Sequence, residues 1–175
     1  GMTGLIVFIC IFLLVMIGPK FYKLDLSYQD NTQLNVPPGM NMMKIPDEMK
    51  NKVADISPGT TYGVGVDTDG KVYIWGHTKI TDTIDLKNIP EEVQNAKIVN
   101  VAAGYDHIVA LDENGAIYVW GNTRLGQNKL PNEVQMASAY GKNLGFKQIE
   151  ASNQFSAAVT ESGDLYLWGN DKQAD

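Results

Sequence analysis

Three blocks of this sequence align without a gap. They are ISPGTTYGVGVDTDGKVYIWGH at 56–77, VAAGYDHIVALDENGAIYVWGN at 101–122 and IEASNQFSAAVTESGDLYLWGN at 149–170. All three share a glycine (Gly70, Gly115, Gly163), a tyrosine (Tyr73, Tyr118, Tyr166), a tryptophan (Trp75, Trp120, Trp168) and the glycine after it (Gly76, Gly121, Gly169). A shorter motif leads each block: IPDEM at 45–49, IPEEV at 89–93 and LPNEV at 130–134. The tryptophans stand 45 and 48 residues apart. That period belongs to propeller blades or to another array in which each unit packs only on its neighbours.

Each block reads as a β-hairpin. A small, apolar first strand (Val64-Gly65-Val66, Val109-Ala110-Leu111, Ala158-Val159) runs into Asp69-Gly70, Asn114-Gly115 or Ser162-Gly163. Asn-Gly and Asp-Gly suit the two-residue turns that need positive φ at both central positions. The second strand, VYIW, IYVW or LYLW, is apolar on both faces, which predicts that both are covered. Blades packed face to face around an axis satisfy this. Gly65, Ala110 and Ala158 are then expected where strands crowd near the axis, with the tryptophans and tyrosines filling the wider gaps between blades.

The stretch AAGYDHIVALDENGAIYVWGNTRLGQ resembles a regulator-of-chromosome-condensation repeat. Gly104, His107, Ala110, Leu111, Gly115, Tyr118, Trp120, Gly121, Gly126 and Gln127 stand where that pattern places them. In the other copies Tyr62 and Phe155 replace the histidine, and Ser152 replaces the first glycine of the third. The resemblance spans residues 45–175. It implies an all-β fold of propeller blades, here three repeats of an incomplete ring. Rings need four to eight blades, so the expectation is a fragment of a longer chain, or self-association of several copies. The family includes a nuclear exchange factor for a small GTPase and secreted bacterial propellers that bind and inhibit other proteins.

Ahead of the repeats, residues 5–17, LIVFICIFLLVMI, are apolar without interruption. As a helix this run spans about 20 Å, against about 30 Å for a bilayer core. It fits the apolar region of a signal peptide or anchor. Pro19, Lys20, Phe21, Tyr22 and Lys23 follow as a helix stop of interfacial character. No basic residue precedes the run, and no small-x-small cleavage site follows it. A short core helix or strand is the other reading. The expected organisation is a transmembrane or signal-anchor segment at 1–23, a linker at 24–44, and propeller repeats at 45–88, 89–129 and 130–175, the last cut short. The linker holds Pro37, Pro38 and Gly39, with Met40, Met42 and Met43 as adaptable packing residues. A bacterial, exported or single-pass protein at the cell membrane is expected, with the repeats outside the cytoplasm. Lys20 and Lys23 alone argue for the opposite topology.

Charge and residue inventory narrow the function. The net charge is −6, and Arg124 is the only arginine. That field repels phosphate backbones, so nucleic acid is not an expected partner. The single cysteine, Cys10, lies in the apolar run, which excludes an internal disulfide and multi-thiolate zinc sites. The only histidines are His77 and His107, and neither a nucleophile motif nor a phosphate loop appears. No enzyme activity and no cofactor are expected. His107 is expected to satisfy backbone groups. DTDG at 67–70 and DENG at 112–115 lack the ligand set of a calcium loop, so no metal is expected. The function expected is a membrane-anchored, non-catalytic module that presents blade loops to a protein partner. His77, Tyr105, Asp106, Asn122 and Arg124 are its candidate binding residues. The alternative is a nucleotide-exchange regulator of a small GTPase.

Overall fold

The computed structural model of the protein describes residues 1–21 and 45–170, with side chains for 1–17 and 45–170. The expected linker at 24–44, including its methionines, lies outside the described residues. The chain divides into two units, Gly1–Leu34 and Asn35–Asp175.

The first unit holds helix α1 (Met2–Phe21). Its large apolar side chains between Leu5 and Ile17 are all exposed. Among the described residues no helix is long and apolar enough to cross a membrane. The expected transmembrane span is therefore not supported, in keeping with an apolar run about 10 Å shorter than a bilayer core.

The second unit contains three antiparallel sheets of three strands, in the orders β1-β2-β3, β4-β5-β6 and β7-β8-β9. Blade 1 is β1 (Val53–Pro58), β2 (Tyr62–Asp67) and β3 (Val72–Gly76). Blade 2 is β4 (Ile98–Ala103), β5 (His107–Asp112) and β6 (Ile117–Gly121). Blade 3 is β7 (Phe146–Ala151), β8 (Phe155–Thr160) and β9 (Leu165–Gly169). The hairpins read from the repeat are the second and third strands of each blade. An additional first strand precedes them, and in each blade it pairs with the second across one irregularity, such as that between Val53 and Asp55.

Neighbouring blades meet through their first and second strands. The first strands share a polar cleft of about 360 Å³ lined by residues such as Asp55, Ser57, Asn100, Gln148 and Glu150. They therefore mark the inner edge. Gly65, Ala110 and Ala158 lie one strand further out, so crowding at the axis is not why they are small. A Cβ on Gly65 would stand 2.6 Å from the Met49 side chain and 3.3 Å from the Trp75 ring. Gly65 thus makes room chiefly for Met49, and the neighbouring Gly63 clears the Trp75 ring, 2.5 Å from where its Cβ would stand.

Each blade has two faces. The leading face carries the tryptophan and tyrosine and, in blades 2 and 3, packs on the preceding blade. The trailing face receives the next one. Tyr62, Val64, Val66 and Val72 of blade 1 cluster with Ile98, Val101, Ala103 and Trp120 of blade 2. Val109, Leu111 and Ile117 of blade 2 cluster with Ile149, Ala158 and Trp168 of blade 3. Burying one such side chain contributes roughly 1.5–3 kcal/mol, whereas an isolated hairpin is marginal in water. Blade contact, more than hairpin propensity, holds each sheet.

The motifs that lead the blocks seat a plug. Pro46, Pro90 and Pro131 cap a 3-10 turn (Asp47–Met49), helix α2 (Glu91–Asn95) and helix α3 (Asn132–Ala139). Each element buries one apolar residue of its motif: Met49, Val93 and Val134.

The hairpin turns differ from the expected two-residue form. Gly70, Gly115 and Gly163 have φ of 87°, 84° and 94°, but among the described residues Asn51 is the only non-glycine with positive φ. Gly70 N–H donates to Asp67 O at 2.9 Å, and Asp67 N–H donates to Lys71 O at 3.1 Å. This is a tight turn followed by a glycine bulge. The Asp67 carboxylate fastens it, accepting from the N–H groups of Asp69 and Lys71 and from the Tyr73 hydroxyl. Asp112 repeats this with Asn114, Ala116 and Tyr118.

Candidate functional site

The antiparallel register sorts the loops to two ends. One end carries the fastened turns. The other carries the connections between first and second strands, around Gly59, Gly104 and Ser152, together with the segments that follow each tryptophan-glycine pair. All five candidate residues lie at this second end.

Three of them hold the loops together. Thr61 Oγ1 donates to His77 O at 3.1 Å. Asn122 Nδ2 donates to Asp106 Oδ2 at 2.7 Å, and Asn170 Nδ2 donates to Gln154 Oε1 at 2.9 Å. The three pairs occupy equivalent places: two side chains meet in blades 2 and 3, and a hydroxyl meets a backbone carbonyl in blade 1. Asp106 is buried. His77 is half-buried, and its Nδ1 has no hydrogen-bond partner.

The remaining two face solvent. Tyr105 is 52% exposed beside a cavity of about 270 Å³ whose walls include Pro58, Thr60, Ser152 and Asn153. Its N–H lies 3.2 Å from both Ser152 O and Asn153 O, so the loop of blade 2 is fixed to that of blade 3. Arg124 is exposed and borders a cleft of about 460 Å³ with Lys129, Leu167 and Trp168. The structure therefore brings Asp106 and Asn122 together internally and presents Tyr105 and Arg124. Thr60, Ser152 and Asn153 were not read from the sequence as part of this end. Only their equivalence to Gly104-Tyr105-Asp106 in the aligned blocks could have located them.

Behind the loops runs a buried relay. The Tyr62 hydroxyl reaches across to blade 2, 2.9 Å from Gly104 O and 2.8 Å from His107 O. Burial, with the charge of Asp106 second, holds its pKa above the ordinary phenol range. His107 in turn reaches blade 3, with Nε2 2.8 Å from Ser156 Oγ. His107 was expected to satisfy backbone groups; its ring meets a side chain instead, and Tyr62 plays the backbone role one blade earlier. Gly59 and Gly104 leave space for these rings, since a Cβ would lie 2.8 Å from Tyr62 and 2.3 Å from His107.

His107 Nδ1 stands 3.5 Å from Asp106 Oδ1, too long for a good hydrogen bond. Burial lowers the His107 pKa and outweighs the raising effect of Asp106, so the imidazole is neutral. Ser156, His107 and Asp106 have the order of a hydrolytic triad. All three are buried, Ser156 at 0% exposure; the His107–Ser156 contact joins blades 2 and 3, while Asp106 holds Asn122.

At the opposite end the Asp67 carboxyl stays below the usual carboxylate range. Burial opposes this, but the Lys71 N–H, the Tyr73 hydroxyl and the Asp69 N–H outweigh it. Its oxygens are thus committed to the turn. Among the described residues no group of three or more metal-ligating side chains occurs.

Three sheets, one shared register and a repeated blade interface define an array of β-propeller blades. The family model for the regulator of chromosome condensation (RCC1) repeat matches residues 98–127, which are the three strands of blade 2 and the segment after them. The crystal structure of human WBSCR16 superposes with a TM-score of 0.51 at 18% identity, covering 72% of this chain and 35% of that one. That likeness shows the fold. The ectodomain of the receptor kinase CR4 from Physcomitrella patens matches at 17% identity, covering 65% of this chain and 28% of that one, with a TM-score of 0.49. Prp20p from Saccharomyces cerevisiae, described with its binding to Gsp1p and histones, matches at 24% identity over 62% of this chain and 28% of that one, with a TM-score of 0.44. The chain thus spans about a third of the length of such structures. No curated protein matches the sequence.

Proposed function

We propose that this chain is a non-catalytic protein-recognition module whose binding surface is the Tyr105 end of the blades. One observation carries the reading: an exposed aromatic ring on a loop already tied to its neighbour. Tyr105 offers apolar area and a hydroxyl, and the bonds from its N–H to blade 3 are in place before any partner arrives. Exposed tyrosines and arginines that lose little freedom on binding are the usual anchors of protein interfaces. Arg124 extends the same end. Apolar helix α1 attaches the module to a membrane in this reading, with the blades outside the cytoplasm of a bacterial cell. Its continuous exposed apolar surface supports attachment.

The test is affinity capture with the full chain in detergent, comparing wild type with the Tyr105→Ala, Arg124→Ala double variant. One protein enriched by wild type and lost with the variant is the expected result. Equal recovery of every captured protein by both rules out this end as the binding surface. Carbonate washing and protease accessibility of intact cells test attachment and side.

A further inference from the structure

We propose that the cavity beside Tyr105 binds a neutral sugar ring. This rests on the recognition surface assigned above to the Tyr105 end, and names the chemistry that surface takes.

The cavity is built from the loops of three blades. Pro58 and Thr60 come from blade 1, Tyr105 from blade 2, and Ser152 and Asn153 from blade 3. Gly59 and Gly104 also line it, and the buried Tyr62 and His107 rings pack against them. Both joins between the loops are made before any ligand arrives. The Tyr62 hydroxyl ties blade 1 to Gly104 O at 2.9 Å, and the Tyr105 N–H ties blade 2 to Ser152 O at 3.2 Å. A site that needs no ordering keeps more of its contact energy for the ligand.

The lining has one chemical character. Among the described residues no carboxylate, ammonium, guanidinium or imidazole lines the cavity. It offers an aromatic ring, a proline, two hydroxyls and an amide. Thr60, Ser152 and Asn153 are exposed, and none of their side chains has a hydrogen-bond partner among the described residues. A hydroxyl both donates and accepts, and so does an amide. A matching ligand must do the same without carrying charge.

A pyranose ring meets each demand. Its hydroxyls donate and accept, and its C–H face is apolar and can lie on the Tyr105 ring, which is 52% exposed. Volume points the same way. About 270 Å³ lies just under the roughly 300–1,000 Å³ of sites for drug-sized ligands, so one compact ring fits. An extended peptide needs a groove or an open strand edge, and these loops provide a pocket instead. The net charge of −6 repels uronic acids and sugar phosphates, which leaves the neutral sugars.

The test is saturation-transfer NMR on the full chain, in a detergent without a sugar headgroup. The probes are the methyl glycosides of glucose, galactose, mannose and N-acetylglucosamine, with glucuronic acid as the charged control. At least one neutral glycoside is expected to bind, and glucuronic acid is not. Tyr105→Ala and Asn153→Ala should each weaken binding roughly tenfold, while Tyr105→Phe keeps the ring and most of the affinity. Both alanine variants should fold, because the tie between these loops is made by backbone groups that they keep. Arg124 borders a different cleft, so Arg124→Ala should leave sugar binding unchanged. Failure of every glycoside at tens of millimolar overturns the proposal. So does binding that both alanine variants retain, or glucuronic acid binding as well as the neutral sugars. Adding the bound glycoside during affinity capture tells its sources apart: a sugar carried by the partner is displaced and the partner released, whereas a free sugar leaves capture unchanged, and either result supports the site. If no glycoside binds while capture still requires Tyr105 and Arg124, the sugar proposal falls and the recognition surface stands.

Discussion

Replacing Tyr62 by phenylalanine isolates one oxygen atom at the first blade junction. The ring fits as before, so no cavity forms. What disappears is a hydroxyl 2.9 Å from Gly104 O and 2.8 Å from His107 O, in a fully buried setting. The His107 carbonyl keeps its bond from Gly104 N–H at 2.9 Å. The Gly104 carbonyl loses the one from Tyr62 at a buried contact between the blades. Leaving a buried acceptor unmet costs about 1–3 kcal/mol, and the raised pKa of Tyr62 means that wild type keeps this donor across ordinary pH. Urea unfolding followed by tryptophan fluorescence measures the loss, since all three tryptophans lie in the blades. A lower midpoint at unchanged slope is expected. The control, Tyr105→Phe at an exposed position, should shift the midpoint little. A Tyr62→Phe midpoint equal to wild type means that the hydroxyl does not join the blades, and the relay described above is wrong.

Other perturbations have equally definite outcomes. His107 is lowered by burial when folded, whereas the unfolded chain takes up that proton near pH 6.5. Its contribution is therefore intact above about pH 6.5 and is lost as pH falls towards the folded value, by up to about 1.4 kcal/mol per pH unit. Comparing unfolding free energies at pH 7.5 and 5.5 for wild type and His107→Gln should show a shallower fall in the variant. Gly121→Ala places a Cβ 2.6 Å from Asp106 O at a φ of 105°; a loss of at least about 1–3 kcal/mol is expected from such strain, read from the same urea curves. Lys97→Ala removes an ion pair to Glu113 that is solvent-exposed on both sides, and thermal melts should not register it.

Much of the architecture was legible in the sequence because the repeat writes it three times. The tryptophans and tyrosines do fill the space between blades, and the glycine of each turn does take positive φ. The first strands were not legible: β7, FKQIEA, alternates weakly, and its partner strand, rather than its own pattern, makes it a strand. The turn type was misjudged because Asp-Gly reads alike in two turn classes, and only the aspartate two residues earlier distinguishes them. At the binding end, Asp106 and Asn122 look like free polar loop residues along the chain. Their closure into a clamp is set by strand register, which places residue 107 opposite 121. One coupled departure could have been read: the third copy loses both the glycine and the histidine, as Ser152 and Phe155. Gly104 clears the His107 ring as Gly59 clears that of Tyr62, and the third copy has neither the glycine nor a histidine or tyrosine.

The most direct test of the recognition end is site-specific photo-crosslinking in cells that express the full chain. A photoreactive residue at position 105 samples the loop end; one at position 114, in the Asp112-fastened turn, samples the other. A partner adduct from position 105 and none from 114 is the result expected here. Adducts from 114 with none from 105 would place recognition on the turns and contradict the account.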